Sequence, residues 1–233
     1  MMRGGTARDI EYPPMLTQIY EVSTSEEAAA ISGIGVHHVG ILVGPGEFPR
    51  EQPLCAATRI AAAVFPPSKV SALFLIADIT LIEAWARSLC PAILHLGAGP
   101  ERLSPADTAK LKWALPGIAV MRSIPVVDED SLELARTYEG IADYLLLDSH
   151  RPQDRQIGAL GITHDWGISR RIVARSSMPV LLAGGLGPDN VAEAIAAVQP
   201  AGVDSKTKTD RDGLHSKDLD RVRRFHAAAC AAA

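Results

Sequence analysis

Two segments near the end of the chain carry the strongest chemical signal. Gly184-Gly185-Leu186-Gly187 follows the aliphatic run Pro179-Val-Leu-Leu-Ala183 and leads into Pro188-Asp189-Asn190-Val191, a capped helix start. Glycines let a backbone approach an anion closely, and the free N–H groups of a helix start bind it. A tight turn that needs glycine only for conformation would read the same way. Ser205-Lys206-Thr207-Lys208 closes the next apolar run and brings two lysines to the same cup. The pairing of these loops points to a phosphate site with Gly184, Gly185, Leu186, Ser205 and Lys206 around the anion.

Three further side chains could do chemistry. In Asp143-Tyr-Leu-Leu-Leu-Asp148-Ser149, three leucines deliver a carboxylate to the far end of a short strand. Partial burial there would raise the Asp148 pKa toward neutrality and make it a general acid, although a loop cap is the plainer use. Asp143, at the opening end, reads as a surface charge. Arg50 follows Gly44-Pro-Gly-Glu-Phe-Pro49. Its guanidinium could hold a substrate carboxylate in a two-point hydrogen bond, or simply face solvent. His164, just before a helix start at Asp165, reads as structural, with Asp165 or Thr163 as the cap.

The elements that must position these groups alternate. Short aliphatic runs at 17–22, 36–43, 71–76, 92–96, 118–123, 144–147, 180–183 and 202–204 read as strands. Amphipathic stretches at 25–33, 51–63, 80–88, 104–115, 128–138, 165–176, 188–198 and 217–229 read as helices. Thr24 with Glu27 suggests a capping box, and Ser104-Pro105 an N-cap before a first-turn proline. Eight βα units can wind into an open doubly wound sheet or close into a barrel. An open nucleotide-binding sheet would carry its glycine-rich loop after the first strand, where Tyr20-Glu21-Val22-Ser23 stands. Here the glycines follow the seventh strand, where barrels commonly hold phosphate. The reading is a single (β/α)₈ TIM barrel over 17–229, preceded by a loose arm over 1–16. In the tandem His37-His38, one ring would face the barrel interior and the other the helices.

Composition narrows the function classes. A hydrophobic fraction of 47% with only 5% aromatics implies an aliphatic core. A formal charge of -4 gives no footprint for nucleic acid or an anionic membrane. No run reaches the ~18 apolar residues of a spanning helix, and the first residues lack a signal-peptide core, so a cytoplasmic enzyme is expected. The three cysteines, Cys55, Cys90 and Cys230, have no metal-ligand spacing and read as buried reduced thiols. No metal and no cofactor are expected. The expected partner is a phosphorylated small molecule, with a homodimer left open because the outer helices show no heptad seam.

Thr163-His-Asp-Trp166, Ser169-Arg-Arg-Ile172, Leu182-Ala-Gly-Gly-Leu-Gly-Pro-Asp-Asn-Val191, Gly202-Val-Asp204 and Lys217-Asp218 before Phe225 together resemble the phosphoribosylanthranilate isomerase family. The front half matches in register: Gln18-Ile-Tyr-Glu-Val-Ser23 falls where the family reads Lys-Ile-Cys-Gly-Ile-Thr. The resemblance implies an Amadori rearrangement of an N-linked phosphoribosyl group, of the tryptophan-biosynthesis type. It carries the general acid to Asp148 and the family's cysteine base to Tyr20, a residue whose ordinary pKa of about 10 suits a base poorly. Glu21 is adjacent, and strand alternation would let only one of the two face the interior. The family's Gln-Leu-His-Gly stands here as Leu94-His-Leu-Gly97. Its Gly-Gly-Thr/Ser-Gly loop stands as Gly158-Ala-Leu-Gly161, with Gly161 at the phosphate, and its Ser-Ser-Gly loop as Ser205-Lys-Thr-Lys208.

Two other readings remain open. One is a related barrel acting as an aldolase, lyase or epimerase, with Lys206 or Lys208 as a Schiff-base lysine. The other is a non-catalytic paralogue that binds a phosphorylated ligand.

Overall fold

The computed structural model describes residues 15–149 and 163–233. Eight parallel strands close in chain order into one barrel: β1 (Leu16–Ile19), β2 (His38–Leu42), β3 (Lys69–Phe74), β4 (Ile93–Leu96), β5 (Ala119–Val126), β6 (Tyr144–Ser149), β7 (Val180–Leu182) and β8 (Gly202–Ser205). The last strand pairs back to the first, Leu16 opposite Gly202 and Ile19 opposite Ser205, so the sheet has no free edge. The helices are α1 (Ser25–Ile34), α2 (Leu54–Ala62), α3 (Ile79–Leu89), α4 (Pro105–Ala114), α5 (Asp130–Arg136), α6 (Trp166–Arg175), α7 (Val191–Val198) and α8 (Leu219–Ala231). This is the (β/α)₈ barrel that the alternation implied.

The strands are aliphatic because both their faces are covered. Every residue of β2 and of β7 is buried, as a parallel sheet between helices and a filled interior requires. One core lies between sheet and helices. A smaller one, including Leu16, Ile93, Met121, Tyr144, Leu146 and Leu181, fills the barrel. The histidine pair divides as expected: His38 turns inward to Gln18 (3.1 Å), and His37 turns outward to Thr17 (3.0 Å). Thr17 also bonds His226 of α8 at 2.9 Å.

Several boundaries differ from the sequence reading. The first strand stops at Ile19, because Glu21 takes a left-handed φ of 60° that no strand accommodates. The last helix begins at Leu219, since Lys217 is buried beneath the preceding loop instead of opening the helix. Ser104 forms the full capping box with Asp107. Thr24 accepts from Glu27 N–H, but the Glu27 carboxylate takes Ser23 N–H instead of closing back on Thr24, and also accepts from Lys217 N–H. The three cysteines are free but exposed, not buried. Most of the expected arm lies outside the described residues; Met15 and Leu16 are buried, and Leu16 already belongs to β1. Among the described residues, no helix is long and apolar enough to cross a membrane.

Candidate active site

The carboxyl ends of β1, β6 and β8, with the loops that follow, surround a pocket of about 460 Å³ including its open mouth. Leu73, Leu75 and Leu146 form an apolar wall; Tyr20, Glu21, His95, Asp148, Asp204 and Lys206 supply the polar groups.

Asp148 sits at the exit of β6, where the preceding leucines are buried, Leu146 in the barrel interior and Leu145 and Leu147 beneath the helices. Its Oδ1 accepts from Ser149 N–H at 2.7 Å. Burial outweighs that bond and the nearby Lys206 charge, and pushes the carboxyl up to about 7. A carboxylic acid so poised donates and regains a proton near neutral pH.

The sequence reading missed Asp204. It ends the short run Gly202-Val203-Asp204 just as Asp148 ends its leucine run, so the same signal was there. Asp204 is 6% exposed, and its Oδ1 is buried with no hydrogen-bond partner among the described residues. Burial first, and the Asp148 charge second, hold its carboxyl well above the usual range.

Tyr20 and Glu21 both reach the pocket, which corrects the expectation that only one could. Strand alternation applies only within a strand, and β1 has ended before either residue. The Tyr20 ring lies flat against Gly40 of β2, where a Cβ would stand 2.2 Å from its Cδ1; only glycine leaves that room. Its hydroxyl is 2.7 Å from Ser71 Oγ and 2.6 Å from His95 Nδ1. Burial raises the Tyr20 pKa well above 10. Burial, reinforced by the charge of Arg122, pushes His95 down to about 3, so this interior chain stays neutral. His95, a further residue the sequence reading left out of the site, passes the chain on to Ser123 Oγ at 2.7 Å.

Glu21 points instead toward two cations. Its Oε2 is 2.6 Å from Arg50 Nη1 and its Oε1 is 3.4 Å from Lys206 Nζ. The Glu51 carboxylate aims Arg50 by accepting N–H bonds from Gly46 (2.8 Å), Glu47 (2.8 Å) and Phe48 (3.3 Å), which folds the β2–α2 loop around one anion. Lys206 is held by Lys217, whose buried ammonium bonds the Lys206 carbonyl at 3.1 Å and Asp210 at 2.5 Å. Burial lowers the Lys206 pKa, offset in part by Glu21.

Beside this pocket, Gly184, Gly185, Leu186, Thr207 and Lys208 line a recess that shares Asp148, Asp204 and Lys206. Gly184 (φ 85°) and Gly185 (φ 63°) adopt left-handed conformations, so the turn needs glycine whether or not an anion binds. Asn190 ties the loop, accepting from Gly187 N–H at 2.8 Å and donating to Gly185 O at 3.2 Å. The Ser205 side chain does not line the recess: Asp204 takes the inward position of β8, and the Ser205 hydroxyl donates to Leu186 O at 2.7 Å. Gly161 lies outside the described residues. His164 bonds Ser169 at 2.7 Å at the base of α6, and Asp165 caps that helix, a structural use as read. Among the described residues, no group of three His, Cys, Asp or Glu side chains could hold a metal ion.

Fold and site together define a (β/α)₈ barrel enzyme, with its acids and cations gathered at the carboxyl ends of the strands, where such barrels work. A family model described as N-(5'phosphoribosyl)anthranilate (PRA) isomerase matches residues 106–228. An N-(5'-phosphoribosyl)anthranilate isomerase of Methanocella arvoryzae is 36% identical over 89% of this chain and 94% of its own. One from Haloferax volcanii is 37% identical over 89% and 90%. The chain belongs to the N-(5'-phosphoribosyl)anthranilate isomerase family. Among solved structures, the Thermococcus kodakaraensis phosphoribosyl anthranilate isomerase superposes with a TM-score of 0.73 at 24% identity, over 92% of this chain and 98% of that one.

Proposed function

We propose that the chain isomerises N-(5'-phosphoribosyl)anthranilate to the 1-(o-carboxyphenylamino)-1-deoxyribulose 5-phosphate skeleton, with Asp148 as acid and Glu21 as base. A structural neighbour, 23% identical with a TM-score of 0.75, is described in complex with the reduced form of that product. Protonated Asp148 gives its proton to the ribose ring oxygen. The C1–O bond breaks, and the nitrogen lone pair forms a C1=N iminium. Glu21 takes the C2 proton, the C2–H pair forms C1=C2, and the iminium pair returns to nitrogen. The resulting enol becomes the ketone when C1 takes a proton and the C2 hydroxyl releases one, and exchange with solvent returns the proton on Glu21 to Asp148 for the next turnover. Atoms and electrons balance within one molecule, so no cofactor is required. Arg50 receives the anthranilate carboxylate. Gly184, Gly185, Leu186, Lys206 and, by resemblance, Gly161 receive the phosphate, with Ser205 holding the loop.

The observation that carries this reading is an acid titrating at about 7 in the same pocket as a carboxylate flanked by two cations. Tyr20 is set aside as base because its hydroxyl is buried and its pKa is raised. Turnover of phosphoribosylanthranilate tests the proposal, and no activity at high enzyme concentration rejects it.

One observation favours a second reading. The lowered Lys206 pKa suits a Schiff-base lysine. Borohydride trapping of a ketose phosphate on Lys206 would support that, and no trapping would leave the isomerase. A homodimer, a cytoplasmic location and a loose N-terminal arm ahead of the barrel belong to the same proposal. A neighbour is described as monomers generated from a dimeric Thermotoga maritima phosphoribosylanthranilate isomerase, and Trp113 on α4 is 83% exposed. Light scattering that returned a single 24.8 kDa chain would reject the dimer.

A further inference from the structure

Glu21, Arg50 and Lys206 form an ionic set at the pocket mouth. Each Glu21 carboxylate oxygen faces a different cation, at 2.6 and 3.4 Å, and the side chains of Glu21, Arg50 and Lys206 are only 10%, 25% and 13% exposed. Water competes poorly for charges so covered. Two of the three positions differ from the family pattern. Glu21 stands where that pattern has glycine and keeps a left-handed φ of 60°, which throws its side chain over the pocket. Lys206 lies in the segment that replaces the Ser-Ser-Gly loop. An anion arriving at either cation therefore meets one that is already paired.

We propose, on the isomerase reading above, that Glu21 is a resident counter-ion through which the site selects doubly anionic substrates. A carboxylate takes Arg50 and a phosphate takes Lys206; together they strip Glu21 from both cations and leave its oxygens free to receive the C2 proton. A ligand with one anionic group takes one cation and leaves the base held by the other. Selectivity for the substrate carboxylate then appears in turnover as well as in binding, because the carboxylate releases the base as well as anchoring the ring.

The decisive comparison uses N-(5'-phosphoribosyl)aniline, which lacks the carboxylate. Wild type should turn it over with a lowered kcat, since Arg50 still holds Glu21. Arg50→Gln should raise kcat for the aniline substrate while lowering kcat/KM for the anthranilate substrate. If Arg50 were only a carboxylate anchor, its loss would leave aniline turnover unchanged or lower, and that result overturns the proposal. A binding measurement stands apart from turnover. Glu21→Gln and Glu21→Asp should each bind anthranilate at least about fivefold more tightly than wild type, the lower end of ordinary site coupling. The aspartate keeps the charge but is too short to reach both cations, so simple charge repulsion predicts wild-type affinity for it. Wild-type affinity in both variants also overturns the proposal. Failure of the isomerase reading is seen separately, as wild type that binds anthranilate but turns over neither substrate.

Discussion

The Tyr20 hydroxyl lies 2.6 Å from His95 Nδ1, with the two rings tilted at 48° and their centroids 5.2 Å apart. Through that contact a neutral chain from Ser71 to Ser123 joins β3, the turn after β1, β4 and β5 across the barrel floor. The residue at the position of the family's cysteine base is thereby part of the interior hydrogen bonding.

Tyr20→Phe should therefore cost stability more than activity. It leaves His95 and Ser71 short of a buried partner, a penalty of about 1–3 kcal/mol. At roughly 2–4 °C per kcal/mol for a chain this size, the melting temperature shows it. Turnover should fall far less than the roughly 10²–10⁴-fold loss expected when a general base is removed. A loss of that size would make Tyr20 the base after all.

The raised Asp148 pKa makes activity and stability fall together as pH rises. As an acid it must be protonated, so turnover should decline as pH rises through about 7. Its pKa in the fold exceeds the ordinary 3.8, so the proton is held more tightly folded than unfolded. The stability that comes with it is complete below about 4 and lost as pH rises through about 7. Asp148→Asn removes the buried charge with the same shape. It should abolish the decline, lower kcat by about 10²–10⁴-fold, and melt higher than wild type at pH 8 but not at acidic pH. An Asn variant that keeps full turnover would remove Asp148 from the acid role.

Gly40 and Tyr20 should behave as a coupled pair. A methyl group at Gly40 would stand 2.2 Å from the Tyr20 ring, so Gly40→Ala overpacks the floor and should destabilise by about 1–3 kcal/mol or more. Combining it with Tyr20→Cys removes the ring and should recover much of that loss. Additive melting shifts in the double variant would contradict the packing account.

Lys217 should matter through Lys206. Its side chain is 0% exposed and paired with Asp210, 9% exposed. Lys217→Met leaves a buried carboxylate unpaired, at about 3–5 kcal/mol, and removes one bond to the Lys206 carbonyl, which keeps those from Thr209. The variant should melt lower and show a raised KM, and adding Asp210→Asn should restore part of the melting temperature. If KM stays at the wild-type value once stability is restored, Lys217 does not position Lys206.

Much of the fold was legible along the chain because its causes are local. Short aliphatic runs buried on both faces, capped helix starts such as Ser104-Pro105, and glycines placed after the seventh strand select a barrel. Asp148 was legible because three leucines that must be buried end in a group that resists burial. What remained hidden depends on closure of the barrel. Strand order makes neighbours of β1 and β8, and so brings position 206 to position 21 with no local sequence sign. The left-handed turn at Glu21 is a backbone choice that alternation cannot foresee, and it puts Tyr20 in the floor and Glu21 at the mouth. The sequence by itself determined the scaffold and placed Asp148 and the glycine and lysine loops at the ends of their strands. Only the tertiary structure decided which charges face one another, because electrostatic partners are set by distance in space and burial, not by separation along the chain.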